Sequence, residues 1–200
     1  IRLNSSSKSF VSEFVRHLMG MGDIKLDKIE EFQKANIQLK TIRLEPNGLP
    51  QEHMSFPNVD FIQWINTDWE NSVIKEYFET TKFLFAIFEY KETKKENPQR
   101  KLYFKKIVFW NMPNTMIQNE LKDFWLTTKD HIQNNLVVEK VPLKNGRFRY
   151  KNNLPTANET KYFHIRPKAA NNRDLMKLPD GTQMPKQGFW FNKTTLQHLY

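Results

Sequence analysis

The sequence predicts an α/β fold, a mixed sheet with helices on its faces, and three stretches carry that prediction. Lys82–Tyr90 (KFLFAIFEY) is an apolar, aromatic run of strand length, the pattern of a strand covered on both sides. Ser9–Met19 sets Phe10, Phe14, Val15, Leu18 and Met19 at helical spacing. Asn114–Asn134 does the same with Met116, Ile117, Leu121, Phe124, Trp125 and Ile132. Helical and strand-like segments interleave along the chain, and the stable way to bury both is to layer helices on a sheet.

Taken in order, the first helix has Ser9 as its N-cap, a residue whose hydroxyl accepts from the first free backbone N–H groups. Asn36–Leu44 (NIQLKTIRL) follows as a strand. Its period of two puts Gln38 and Lys40 on one face and Ile37 and Leu39 on the other. It ends in Pro46-Asn47-Gly48, a turn signal, and a strand at His53–Phe56 would complete a hairpin. Asn71–Thr80 reads as a helix ahead of the buried strand. Lys91–Arg100 (KETKKENPQR) is polar and charged and reads as an exposed loop. Leu102–Trp110 (LYFKKIVFW) is a further strand, and Pro113 precedes the long helix. Strand-like pieces follow at Leu136–Val141, Phe148–Tyr150 and Tyr162–Arg166. Pro179-Asp180-Gly181 is a turn, Gly188–Phe191 is strand-like, and a short helix opens near Lys193.

The chain has 200 residues, 38% of them hydrophobic and 14% aromatic, enough for one ordinary domain with a substantial core. No repeat and no interdomain linker breaks it, so residues 1–200 read as one domain. It carries 31 basic and 22 acidic residues, a net charge of +9, which favours an anionic partner. With no cysteine, a disulfide framework, a thiolate zinc site and a cysteine nucleophile are excluded. The glycine spacing gives neither a phosphate-binding loop nor a dinucleotide fingerprint. No apolar run reaches the roughly 18 residues a bilayer crossing needs, so no membrane partner is expected. Ile1 stands first and no signal-peptide pattern follows. We read the chain as a fragment of a longer intracellular protein.

Two constellations bear on chemistry. The five histidines are scattered and read as surface or satisfied core imidazoles rather than metal ligands. Gln38 and Lys40, by contrast, sit where many metal-dependent nucleases carry E-x-K on a strand, with Glu31 as the upstream acid. There carboxylates hold a hard cation while the lysine steadies the attacking water or the developing charge. A polar face on an edge strand would give the same pattern. The second constellation is the basic last quarter. Residues 151–200 hold eight Lys or Arg against three acids. Within them, His164-Ile-Arg-Pro-Lys-Ala-Ala-Asn-Asn-Arg173 leaves a strand at a proline and frees its side chains to project outward. Arginine can bond guanine O6 and N7 together, and lysine can reach the same acceptors or a phosphate.

At these residues the chain resembles the MutH mismatch-repair endonuclease family. Ile37-Gln-Leu-Lys-Thr-Ile42 with Pro46-Asn-Gly-Leu-Pro50 resembles the family's catalytic strand and hairpin. His164-Ile-Arg-Pro-Lys-Ala-Ala-Asn171 resembles its late recognition loop, and Pro185–Leu196 its final strand and helix. Glu31–Lys40, His53-Met-Ser-Phe56, Thr80–Phe85 and Asn111-Met-Pro113 are similar to the C-terminal half of GATC-cutting type II restriction endonucleases. Those enzymes hold two MutH-like domains, an N-terminal one that cuts and a C-terminal one that binds DNA as an effector.

The resemblance implies a restriction-endonuclease-like fold, a central mixed sheet flanked by helices around a DNA cleft. It places the family's first-helix glutamate on Arg16, its metal-binding aspartate on Glu31 and its E-x-K glutamate on Gln38, and keeps only Lys40. A further active-site lysine falls near Thr80, with Lys82 close by. An Asp/Glu/Lys trio sums to −1, whereas Glu31/Gln38/Lys40 sums to zero and Arg16 adds a positive neighbour. At an effective dielectric near 20, each unit charge ~4 Å away is worth about 4 kcal/mol, enough to empty a modest Mg2+ site. No catalytic residue and no metal are therefore expected here, with Mg2+ serving the parent endonuclease. By the same resemblance Arg166, Pro167 and Lys168 read the GATC edge, and Lys8 lies near the DNA. The aromatic that senses adenine methylation in the family falls on Trp190, which has no hydroxyl, so methylation sensitivity does not carry over. Arg173, Lys186 and Lys193 are expected phosphate contacts. The expected partners are GATC duplex DNA and an N-terminal catalytic domain of the same polypeptide, in the bacterial cytoplasm. The alternatives are an active Mg2+-dependent GATC endonuclease using Glu31 and Lys40, and a protein-interaction module.

Overall fold

The computed structural model describes residues 10–18, 20, 30–144, 146–171 and 173–199. Lys8 and Ser9 lie outside them. In chain order the elements are α1 (Phe10–Leu18), α2 (Glu30–Lys34), β1 (Ile37–Leu44), β2 (Met54–Asn58), α3 (Phe61–Asn66), α4 (Val73–Thr80), β3 (Lys82–Tyr90) and β4 (Leu102–Trp110). Then come α5 (Asn114–Met116), a π-helical turn (Ile117–Leu121), α6 (Lys122–Asn134), β5 (Val138–Pro142) and β6 (Phe148–Asn152). β7 (Phe163–Pro167), β8 (Leu175–Lys177), β9 (Gln183–Pro185), β10 (Gln187–Phe191) and α7 (Lys193–Leu196) complete the chain. The described residues fall into two compact units, one within Ile1–Glu52, Tyr77–Met112 and Leu199–Tyr200, the other within His53–Glu76 and Pro113–His198. Among the described residues no helix is long and apolar enough to cross a membrane.

The first unit holds the mixed sheet that the sequence predicts, in the order β1-β3-β4. β1 runs parallel to β3, with Gln38 opposite Phe83 and Lys40 opposite Phe85, and β4 runs antiparallel to β3. Every residue from Phe83 to Phe88 is at most 1% exposed, because both faces of β3 are covered. On one face Val15 of α1 and Phe32 of α2 pack with Leu84, Ala86 and Phe88, joined by Ile37 and Leu39. On the other, Tyr77 and Phe78 of α4 lie 6.1 and 6.0 Å from the Phe83 ring, and Trp110 lies 5.8 Å from it. Each fully buried side chain of this size contributes roughly 1.5–3 kcal/mol. Asn36 ends α2 with φ 46°, a left-handed conformation that asparagine tolerates better than most residues. Its carbonyl accepts the Lys82 N–H at 3.0 Å and its Nδ2 donates to Thr81 Oγ1 at 3.2 Å, which sets β1 against β3.

The expected hairpin is not completed. The turn itself forms: Gly48 takes φ 79° and its N–H donates to the Glu45 carbonyl at 2.8 Å. Pairing then stops after the single Leu44–Pro50 bridge, and β2 pairs instead with β10 in the second unit. The turn is encoded locally, whereas the better partner for β2 lies far away in sequence.

The second unit is built on the antiparallel sheet β2-β10-β7. Phe189 and Phe191 of β10 turn inward with Phe56 and Phe163, and Phe124 of α6 lies 5.7 Å from both Phe163 and Phe189. Trp64 stacks on Trp125 at 6.4 Å, holding α3 on α6. Asp60 caps α3 by accepting the N–H groups of Ile62 and Gln63. The long helix of the sequence reading is present but interrupted by the π-helical turn. β5–β6 and β8–β9 stand as separate two-stranded ribbons.

Candidate nucleic-acid interface

Gln38 and Lys40 share one face of β1, as the alternation requires, and that face meets α4. Gln38 Oε1 accepts the Tyr77 hydroxyl at 2.6 Å. Burial pushes the Tyr77 pKa up to about 12, so the phenol stays protonated and donates. Arg16 and Glu31 sit on α1 and α2, whose apolar residues Val15 and Phe32 pack with the opposite face of the sheet. Glu31 is exposed. Among the described residues no cluster of three His, Asp or Glu is placed to hold a metal ion. A neutral amide already accepting a phenol proton, beside a lysine, does not fit a divalent cation that selects anionic oxygens.

A different arrangement occupies the outer face of β2-β10-β7. Pairing sets His164 opposite Trp190 and Arg166 opposite Gly188. Phe189 and Phe191 point to the core, so the intervening Gly188 and Trp190 point away from it. The exposed Arg166 guanidinium lies 4.8 Å over the Trp190 ring, a cation–π contact that fixes its direction. Trp190 Nε1 is buried and has no hydrogen-bond partner among the described residues. Lys168 follows Pro167, and its ammonium donates to the Phe56 carbonyl. Gly188 makes that path possible: a Cβ there would lie 2.7 Å from Lys168 Cδ and 3.3 Å from Trp190 Nε1. Burial lowers the Lys168 pKa.

Beneath these groups lies a neutral imidazole pair. Asn192 Nδ2 donates to the Thr160 carbonyl at 2.7 Å, which leaves Asn192 Oδ1 facing His164 Nδ1 at 2.6 Å. That nitrogen is therefore the protonated one. Burial drops the His164 pKa to about 4. His53, whose ring is 4.8 Å from that of His164, accepts the Lys193 N–H at Nδ1 over 3.2 Å. Its pKa is also lowered, by burial first and then by Lys193 and Arg166. Both rings are uncharged near neutrality, so the cations alone set the charge of this face. The sequence reading took all five histidines as surface or satisfied core imidazoles, and His164 is a buried one with a hydrogen-bond partner.

The other expected contacts are placed unequally. Asp174 organises the loop after β7: it accepts the Ala170 N–H at 3.0 Å and pairs with Lys186 at 2.6 Å, which holds its carboxyl below the usual range. Lys186 therefore reaches an anionic ligand only in competition with Asp174. Arg173 and Lys193 are exposed, the latter at the start of α7. Lys8 lies outside the described residues. Sequence reasoning missed Tyr77, Gly188, Asp174 and Asn192, all of which act through distant partners. Only Gly188, a glycine inside a strand, carried a signal of close approach.

A family model described as DNA mismatch repair enzyme MutH matches residues 23–123. The chain is 29% identical over 174 residues to the type II restriction enzyme Sau3AI of Staphylococcus aureus. That alignment covers 83% of this chain and 34% of the enzyme, so the chain spans about a third of that relative's length.

Proposed function

The chain belongs to the MutH family, and from that premise we propose that it binds GATC duplex DNA as the catalytically silent effector domain of a type II restriction endonuclease. The observation that carries the reading is Arg166, exposed at the end of β7 and held over Trp190. A guanidinium fixed in direction loses little freedom when it forks onto guanine O6 and N7, and a good bidentate pair discriminates by about 1–3 kcal/mol. Lys168 lies next to it in the same loop, its ammonium held on the Phe56 carbonyl. Arg173, Lys186 and Lys193 would meet phosphates. In the catalytic position of the family, Gln38 bonds to Tyr77 and only Lys40 is retained. The domain would therefore hold its site without cutting it, leaving Mg2+ chemistry to a separate catalytic domain.

A salt-titrated binding assay tests this. The chain should prefer a GATC duplex to a scrambled one and lose affinity steeply as salt rises. Lys168→Ala should cost about 1–3 kcal/mol on GATC and much less on the scrambled duplex. Equal losses on both duplexes would remove Lys168 from base reading.

A further inference from the structure

The β5–β6 ribbon has no part in the interface described above. Residues 138–152 carry Lys140, Lys144, Arg147, Arg149 and Lys151 against Glu139 alone, a net +4 out of the chain's +9. Some cations elsewhere are paired with an acid, as in Lys186–Asp174, Arg100–Glu45 and Lys34–Glu30. Among the described residues, Lys140, Lys144, Arg149 and Lys151 make no ion pair. Like charges crowded on a small ribbon repel one another, so this arrangement costs stability unless an anion meets it.

The pairing sorts these side chains. Glu139 faces Lys151 and Val141 faces Arg149, so Arg149 and Lys151 share one face of the ribbon. On the other, Lys140 lies 5.3 Å over the Phe148 ring and 5.6 Å over Tyr150, and Phe148 is still 41% exposed. The base of the ribbon is fixed. Asn153 accepts the Val137 N–H at 2.8 Å and donates to the Asn135 carbonyl at 2.8 Å, tying β6 to the end of α6. A cavity of about 910 Å3 separates Val138, Lys140 and Tyr150 from Leu175, Asp180 and Gln183. The ribbon therefore stands next to β8–β9, whose other end continues into the Asp174–Lys186 pair of the reading loop.

We propose that the β5–β6 ribbon is a second DNA-contacting element, gripping the sugar–phosphate backbone beside the recognised bases through Arg149 and Lys151. Its cations carry no sequence information, since phosphates are alike along a duplex. The inference rests on the chain binding DNA, and its test separates the two.

The intact chain and an Arg149→Gln/Lys151→Gln variant are titrated with salt against two GATC duplexes, one trimmed close to the site and one extended on both sides, and against a scrambled long duplex. Both substitutions lie on an exposed ribbon face, and matching thermal midpoints establish that the variant is folded. On the long duplexes the variant should lose about tenfold in low salt, equally for GATC and scrambled sequence. The slope of log affinity on log salt should become shallower by about 1.8, since two phosphates are no longer neutralised and their counterions are not released. On the trimmed duplex it should bind as the parent does. Unchanged affinity and slope on the long duplexes, while Lys168→Ala still loses GATC preference, would overturn the ribbon's role alone. A variant that loses binding to anionic phosphatidylserine vesicles but not to DNA would also overturn it. No salt-dependent duplex binding by the parent chain would overturn both readings.

Discussion

On the reading proposed above, Gln38 puts an amide where a carboxylate would hold a cation, and its oxygen is engaged by a phenol that stays protonated up to about 12. The exchange of one oxygen for NH2 removes a full charge while keeping the shape of the side chain. At Gly188 the reverse logic holds, since the missing side chain is what matters. The Lys168 stem crosses the space that a Cβ would fill. Gly188→Ala should therefore push Lys168 away from the Phe56 carbonyl and lower GATC affinity by about 1 kcal/mol, with little change in scrambled binding. The salt-titrated assay reads this directly. Unchanged GATC preference would mean that the docked lysine is incidental.

Among the elements, β7 and β10 combine a structural and an exposed role. Their inner residues build the aromatic core, and His164 sits buried between that core and the Arg166 face. Its pKa falls from 6.5 to about 4 on folding. Below 6.5 the unfolded chain takes up a proton that the folded chain refuses until about 4, so stability falls as pH drops through that window. The loss should approach roughly 2–3 kcal/mol at its acid end. Thermal melts near pH 7 and near pH 5 should show it, and His164→Gln should flatten the dependence. An unchanged slope in that variant would assign the pH effect to other groups. The strands themselves differ in how plainly the sequence announces them. β3 was legible to the residue because burial on both faces leaves an uninterrupted apolar run, and the helix before β5 was legible from its period. α2 and α3 are too short for a period to develop, although Asp60 was an available cap. The pairing of β2 with β10 was not legible at all, since local alternation says nothing about distant partners.

Over the whole molecule, the net charge of +9 suits the DNA partner proposed for this member of the MutH family. The restriction-endonuclease-like fold follows from the family. The candidate site was legible where it depends on residues close in sequence, as with Gln38 and Lys40 on one face or Arg166 and Lys168 around Pro167. It was not legible where a distant group supplies the other half, as Tyr77 does for Gln38, Trp190 for Arg166 and Asp174 for Lys186. The central claim is binding without cleavage, and supercoiled GATC plasmid with Mg2+ tests it most directly. The account predicts a retarded but uncut plasmid at saturating protein. Nicking that depends on Mg2+ and vanishes in Lys40→Ala would contradict it.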